Sequence, residues 1–433
     1  MSFITTDRSQ DHLVYINGKT YDISEFRFKH PGGRKVISLF GGSDASWAFL
    51  TYHMRDFPEK MMEKYLSKEE LKLDGDGKSP PMISEQKDYL ELASMVKKHL
   101  RDTGAGAGFA PISQWIKCIF LITFAVGLEF YGFFVGYRTW VDAFVLGVLF
   151  AGIGLCVQHD GSHSAYSSNP RLNELMGCAQ DWIGGSSLSW YVEHIKNHHN
   201  YTNELSVDPD IDTEGALRLH KSHPRYFFHK WQHFYLFLGE FAYSFVPVFF
   251  SFAELLTGYY RLNKKYRMSS LLNYYRIEGI IFKLITYFRI LVLPFMIFSE
   301  HPLIIAVKIG LSMSVASFIL AFLFILSHNF EGVAFYEKGE MPNSFLKRQV
   351  ETSSDLGGPI HNFLTGGLGN QVCHHLFPRI AHTHYESIKP IVKKYCQEHN
   401  IKYVSFDYIP ENVRSVYRQL KRLGQPDEKV KSG

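Results

Sequence analysis

The sequence predicts a small α+β domain followed by an all-α polytopic membrane domain with four transmembrane helices, interfacial helices and a cytosolic cap. Three observations carry this. Residues 1–78 balance acidic against basic side chains and hold no apolar run long enough to span a bilayer. Asp74 to Pro81 is a cluster of turn formers and helix breakers, the signature of a linker. Beyond it, four long apolar runs, at 115–136, 140–157, 281–299 and 303–326, come in two pairs. The expected boundaries are therefore 1–78 for the first domain, 79–84 for the linker and 85–433 for the membrane domain.

Composition narrows the functional class. Of 433 residues, 36 are Phe, 25 are Tyr and 21 are His, while the net charge is only +4. That charge is too small for a nucleic-acid binder. Aromatics with many histidines suit contact with a membrane or an apolar ligand, together with metal chemistry. The mean hydropathy of −0.10 averages soluble and membrane parts. Cys118, Cys156, Cys178, Cys373 and Cys396 form no C-x-x-C pair, so reduced thiols are expected. Met1 to Lys19 contains no apolar h-region, and no cleavable signal peptide is expected.

Each pair of apolar runs reads as a transmembrane hairpin, closed at Tyr137 to Thr139 and at Glu300 to Pro302. The third run carries Lys283 and Arg289. An arginine at mid-bilayer costs ~3 kcal/mol on insertion scales, so either Arg289 faces the bundle or the span is tilted. A fifth run, 234–256, is interrupted by Glu240, Pro247 and Glu254. As a fifth span it would place the histidines of 159–199 opposite those of 374–375, so it is assigned to the interface or the protein interior. Four spans leave both termini and all these histidines on one face. The short loops hold one basic residue, Arg138, which makes the shared face cytosolic by the positive-inside rule.

In the first domain a strand signal, Val14 to Ser24, precedes His30-Pro31-Gly32-Gly33, and His53 follows in Phe49 to His53. This pattern resembles cytochrome b5. The resemblance implies His30 and His53 as axial ligands of heme b, leaving no open iron position: a carrier of single electrons. Pro31 and the two glycines would fix the turn that presents His30.

The membrane domain carries three histidine clusters: His159 with His163, His194 with His198 and His199, and Gln371 with His374 and His375. A spacing of i, i+4 puts His159 and His163 on one helical face, and likewise His194 and His198. Imidazole suits Fe, Zn and Cu. Seven histidines and a glutamine at one membrane face are enough for two metals. His328, at the end of the fourth run, lies at matching depth and is counted as a further ligand. His220, His223, His229 and His233 are assigned to the surface. His382 and His384 are assigned to headgroups or solvent, and His361 is left outside the site.

These clusters, with His198 to Asn203, Asp208 to Asp212 and Gly366 to Pro378 around them, resemble the membrane fatty-acid desaturases over roughly residues 85–410. Within that family the fused cytochrome b5 domain and the Gln371 that opens the third cluster resemble the front-end branch. The resemblance implies a delta-5/delta-6 type enzyme of the endoplasmic reticulum membrane, with both termini and the active site cytosolic. It would insert a cis double bond between an existing one and the carboxyl end of a polyunsaturated acyl chain, carried on coenzyme A or phospholipid. The implied cofactors are heme b and two iron ions, with O₂ as co-substrate. Electrons would come from NADH through a separate cytochrome b5 reductase, since no Gly-x-Gly-x-x-Gly fingerprint follows a strand.

Two roles are open to Gln371: a weak carbonyl ligand or the holder of a metal-bound water. Cys373 is assigned to packing. Asp160, Asp208 and Asp210 are candidates for fixing histidine tautomers, with a simple turn as the other reading of Asp208 to Asp210. A flexible linker of ~18 residues would give the heme domain a reach of ~25 Å. Two related readings use the same cofactors: a fused sphingolipid desaturase and a fatty-acid hydroxylase. A heme carrier with a plain membrane anchor needs none of the clusters.

Overall fold

The computed structural model describes residues 7–53, 59–73, 82–205, 207–243, 245–261, 266–337 and 342–426. The predicted linker centre, Asp74 to Pro81, lies outside the described residues.

In the N-terminal domain a short 3-10 turn, Arg8–His12, leads into a hairpin. Strands β1 (Leu13–Ile16) and β2 (Lys19–Asp22) pair antiparallel. Asn17 and Gly18 both have positive φ, 51° and 84°, as an Asn-Gly hairpin turn requires. Helix α1 (Arg34–Leu39) follows, then β3 (Ser43–Asp44), which adds parallel to β1, and α2 (Ser46–Tyr52).

The second part begins with α3 (Lys87–Asp102), an amphipathic helix that buries Tyr89, Leu92, Val96 and Leu100. Among the described residues, four helices are long and apolar enough to cross a membrane: α4 (Ile112–Val135), α5 (Trp140–Ser162), α8 (Ser270–Ile297) and α9 (Pro302–His328). Between the pairs lie α6 (Gln232–Gly239) and α7 (Phe245–Thr257). At ~1.5 Å per residue these two are too short for a ~30 Å hydrocarbon core. They expose apolar side chains such as Leu238 and Phe249, as interfacial helices do.

Helices α5 and α9 form the inner pair, with 61% and 50% of their apolar windows buried against 22% for both α4 and α8. Gly147 makes this approach possible, because a Cβ there would sit 2.5 Å from the Ser312 carbonyl oxygen. The two hairpin turns touch at one end of the bundle, where the Ser299 amide donates to Gly136 O at 3.0 Å. At the other end α5 and α9 finish on the histidines.

Both cations of the third run turn inward. Arg289 pairs with buried Glu129 and lies 3.7 Å from the Trp182 ring centroid. Lys283 donates to Gly184 O and to Gly185 O, the latter at 3.0 Å. Of the two readings of Arg289, the structure adopts the one that faces the bundle.

The heme-type domain is not free on a tether. Leu39, Trp47 and Leu50 share one hydrophobic core with Tyr191, Ile195, Phe345 and Val372. Lys196 donates to Leu39 O at 3.0 Å and Lys35 to Ser187 Oγ at 3.2 Å. Ile83, from the expected linker, is buried and its amide donates to Asn17 Oδ1 at 2.8 Å. Contact, not linker length, sets the distance between the two parts.

Candidate heme and metal sites

His30 and His53 meet on one side of the small domain, with ring centroids 6.0 Å apart at 65°. His53 caps the C-terminus of α2, and its Nδ1 donates to Phe49 O at 3.1 Å. His30 Nδ1 lies 3.3 Å from Gly33 O. These bonds leave each Nε2 lone pair for a ligand. Burial lowers both pKa values; that of His53 falls to about 4, with His30 as its second cause. Neutral, main-chain-anchored imidazoles facing one another fit a bis-histidine heme. Gly32 gives the space, since a Cβ there would lie 2.8 Å from His30 Cε1.

The other histidines converge from four elements. His159 and His163 end α5, just after a π turn at Gly154–Gln158. His194, His198 and His199 lie on a second π segment, Tyr191–His198, and its cap. His374 and His375 sit on the short helix Gln371–Leu376, and His328 ends α9. They divide into two buried groups, His159 with His163, His194 and His374, and His198 with His328 and His375, whose donor atoms lie within 4.8 Å of one another. His199 stands at the seam, its ring 4.6 Å from that of His374 and 4.4 Å from that of His375. Gln371 Nε2 is 3.1 Å from His328 Nε2.

The π segment adds a partner to an expected pair, since the rings of His194 and His198 still stack 5.4 Å apart. His194 and His198 were placed on one helical face by their i, i+4 spacing. Bonds in a π helix run from i to i+5, and the His199 amide donates to His194 O at 3.0 Å. It is therefore His194 and His199 whose Nε2 atoms approach, to 3.1 Å. His198 turns to the second group, although Asp210 remains within metal-ligand reach of both His194 and His198.

Outer partners fix the rings. Asp208 accepts from His198 Nδ1 at 3.1 Å. Burial lowers the His198 pKa, but Asp210 and Asp208 outweigh it and lift the value to about 9. His375 Nδ1 lies 2.9 Å from Gln349 Oε1, and His328 Nδ1 donates to Thr352 O at 2.9 Å. His374 Nδ1 meets the Tyr385 hydroxyl at 3.2 Å, and His163 Nδ1 meets that of Tyr52 at 2.8 Å. Tyr52, Gln349, Thr352 and Tyr385 were missed in the sequence; none belongs to a histidine cluster. Asp208 and Asp210 make both a turn and a histidine contact, because the Asp210 amide also donates to Asp208 Oδ1 at 2.9 Å.

The inward atoms are the ones left over. Among the described residues, His159 Nε2, His163 Nε2, His374 Nε2, His199 Nδ1 and Gln371 Oε1 are buried with no hydrogen-bond partner. Each such atom costs about 1–3 kcal/mol unless something compensates it. Burial first, and neighbouring imidazoles next, push His163, His194, His199, His374 and His375 well below the ordinary histidine pKa. Buried, neutral lone pairs pointing at common centres fit metal cations, and a nitrogen-rich set with one amide suits iron.

Several histidines outside the site are not where the sequence placed them. His382 is buried and 2.8 Å from Asp160 Oδ2, instead of meeting headgroups or solvent. This, more than the 3.9 Å approach of Asp160 to His159, is what holds Asp160. His229 and His233 are buried, not surface imidazoles. His229 accepts from the Tyr226 amide at 3.1 Å and donates to Gly215 O at 2.9 Å. Cys373 is buried in the apolar core, as packing requires.

Sequence comparison agrees with this geometry. The profile of the fatty acid desaturases matches residues 109–407, and that of the cytochrome b5-like heme/steroid binding domains matches residues 3–68. The chain belongs to the fatty acid desaturase family. An acyl-lipid (7-3)-desaturase of Rebecca salina is 37% identical over 95% of this chain and 91% of its own length. A second, from Diacronema lutheri, is 37% identical over 97% and 92%. The delta(5) fatty acid desaturase A of Dictyostelium discoideum is 29% identical over 97% and 92%. The desaturase is thus an oxidoreductase that fuses a cytochrome b5-like domain to a membrane domain with two histidine groups suited to iron.

Proposed function

We propose that this desaturase is a front-end acyl-lipid enzyme that introduces a cis double bond on the carboxyl side of an existing one in a polyunsaturated chain. The observation that carries the reading is the pair of buried histidine groups, seven inward imidazoles with His199 between them, beside a fused heme-type domain. His159, His163, His194 and His374 would hold one iron, and His198, His328 and His375 the other, with His199 and Gln371 completing the set. His30 and His53 would hold the heme. Two iron ions so held supply an oxidant, made from O₂, strong enough for an unactivated C–H bond, which no side-chain acid or base can break.

The chain's own residues do the rest. Asp208, Gln349, Thr352 and Tyr385 hold the imidazoles in the tautomer that presents a lone pair inward. The apolar ends of α5 and α9 deliver the histidines to the depth at which an acyl chain lies. The heme domain receives single electrons from NADH through a separate cytochrome b5 reductase. Both termini and the site would lie on the cytosolic side of the endoplasmic reticulum membrane, since Arg138 is the one basic residue in the short loops.

The (7-3), (8-3) and delta(5) activities named for the relatives supply the substrate panel. Expression in a host without polyunsaturated lipids, fed one acid at a time, should give a product lighter by two hydrogens. A product heavier by one oxygen would make it a hydroxylase instead, and conversion of sphingoid bases alone would overturn the acyl-lipid substrate.

A further inference from the structure

A side chain of the heme-type domain reaches a histidine of the metal-type site. Tyr52 is the last residue of α2, and its hydroxyl lies 2.8 Å from His163 Nδ1. The two rings lie 13° from parallel, with centroids 6.4 Å apart. The next residue in the chain is His53. Arg379, four positions beyond His375, donates to Tyr52 O at 3.1 Å and clamps the turn from the membrane-domain side. A route of one peptide unit, one phenol ring and one hydrogen bond therefore joins the two candidate cofactor sites.

We propose that Tyr52 is the electron conduit and positioning residue between the heme and the metal centre. The inference rests on the desaturase reading above. Tunnelling decays exponentially with distance and passes more readily through covalent and hydrogen bonds than across a gap, so a bonded route of this kind dominates over looser ones. With His163 Nε2 turned inward to a metal, Nδ1 carries the proton and donates to the Tyr52 oxygen. The phenol neither gains nor loses a proton in the transfer. In each transfer a ferrous heme loses one electron and becomes ferric, while one ferric ion of the metal site gains it and becomes ferrous. Two such transfers serve each double bond. The tight domain docking of Lys196 on Leu39 and Trp47 on Phe345 keeps the route assembled between turnovers.

The test is anaerobic stopped-flow of the full-length holoenzyme, with the heme reduced and the metal site oxidised, read at the heme absorbance. In wild type the heme should reoxidise at a first-order rate independent of protein concentration. Tyr52→Phe keeps the ring and removes the hydroxyl. It should slow that step at least tenfold per bound iron while the heme spectrum stays unchanged. Arg379→Met should slow it as well, and decides the matter if Tyr52→Phe fails to fold with heme. An unchanged rate overturns the inference. So does iron loss from Tyr52→Phe with an unchanged rate per bound iron, which would make Tyr52 only a holder of His163. If wild-type heme does not reoxidise at all, it is the desaturase reading that fails.

Discussion

Asp11 and Arg267 form a buried, two-pronged ion pair between the heme-type domain and the membrane domain, with contacts of 2.6 and 2.9 Å. The Ser270 amide adds a third bond to the same carboxylate at 2.6 Å. Burial raises the Asp11 pKa, but Arg267 and Ser270 more than reverse it, so the net shift is downward. Removing one partner of such a pair leaves an uncompensated buried charge, at about 3–5 kcal/mol. Arg267→Met should therefore loosen docking. Limited proteolysis within Asp74 to Pro81 should accelerate, and electron delivery to the metal site should become dependent on linker reach. Cleavage at the wild-type rate would show that the pair does not hold the interface.

Asp208 gives a prediction about metal retention. Its carboxylate accepts from His198 Nδ1, from the Asn203 amide at 2.8 Å and from the Asp210 amide. Asp208→Asn removes one of the two carboxylates at His198 Nδ1 and leaves Asp210 at 3.2 Å. Loss of an outer carboxylate typically weakens metal binding ~10–100-fold. At limiting iron, the variant should keep the metal of the His159 group and lose that of the His198 group, a fall from two irons per chain to about one. Full retention of both would place Asp208 in the turn alone.

How much of this was legible in the sequence depends on the kind of signal. The membrane helices follow from run length, and the histidines follow from their density and spacing. The regrouping of His194 with His199 was hidden, because a 3.6-residue period is assumed in reading i, i+4 pairs and the segment is a π helix. Tyr52, Gln349 and Tyr385 reach the site from distant parts of the chain, with no periodic or compositional mark. Docking of the small domain was equally silent. It rests on single complementary pairs such as Asp11 with Arg267, whereas a linker rich in Gly and Pro suggests mobility.

Asp44 predicts a pH dependence. Its Oδ1 accepts from the Ser46 amide at 2.8 Å, while Oδ2 is buried with no hydrogen-bond partner among the described residues. Burial raises its pKa to about 6, against the lowering effect of Ser46. The native state thus disfavours the charge. Its stability is greatest below the unfolded pKa near 4 and falls as pH rises towards 6, then stays lowered above it. The shift of about two units corresponds to roughly 3 kcal/mol at most. Asp44→Asn keeps an oxygen for Ser46 and removes the charge. Heme release on heating should move up by a few degrees at pH 7.5, and the gap should close near pH 4.5. An equal gain at both pH values would mean that the charge is not the cause.

Gln371 is the residue whose role chemistry defines most sharply. Its Nε2 lies 3.1 Å from His328 Nε2 and 3.4 Å from His375 Nε2, while Oε1 is buried and without a partner. In that orientation the amide donates to the lone pairs a metal would occupy. With iron bound, those lone pairs are taken, and the amide must turn its oxygen inward, either to the metal or to a water on it. Gln371→Ala removes both options and opens a void, so activity per bound iron should fall to below about a tenth, given that removing an outer metal partner costs ~10–100-fold. Gln371→His supplies a nitrogen donor of different reach to a site already built from imidazoles, and partial activity is expected. A merely space-filling glutamine predicts that Gln371→Met, similar in length and apolar, behaves as wild type. Product formed per mole of bound iron, compared across the four proteins, decides. Wild-type turnover in Gln371→Met would remove Gln371 from the metal centre, whereas collapse in Ala and Met with partial recovery in His places its oxygen there.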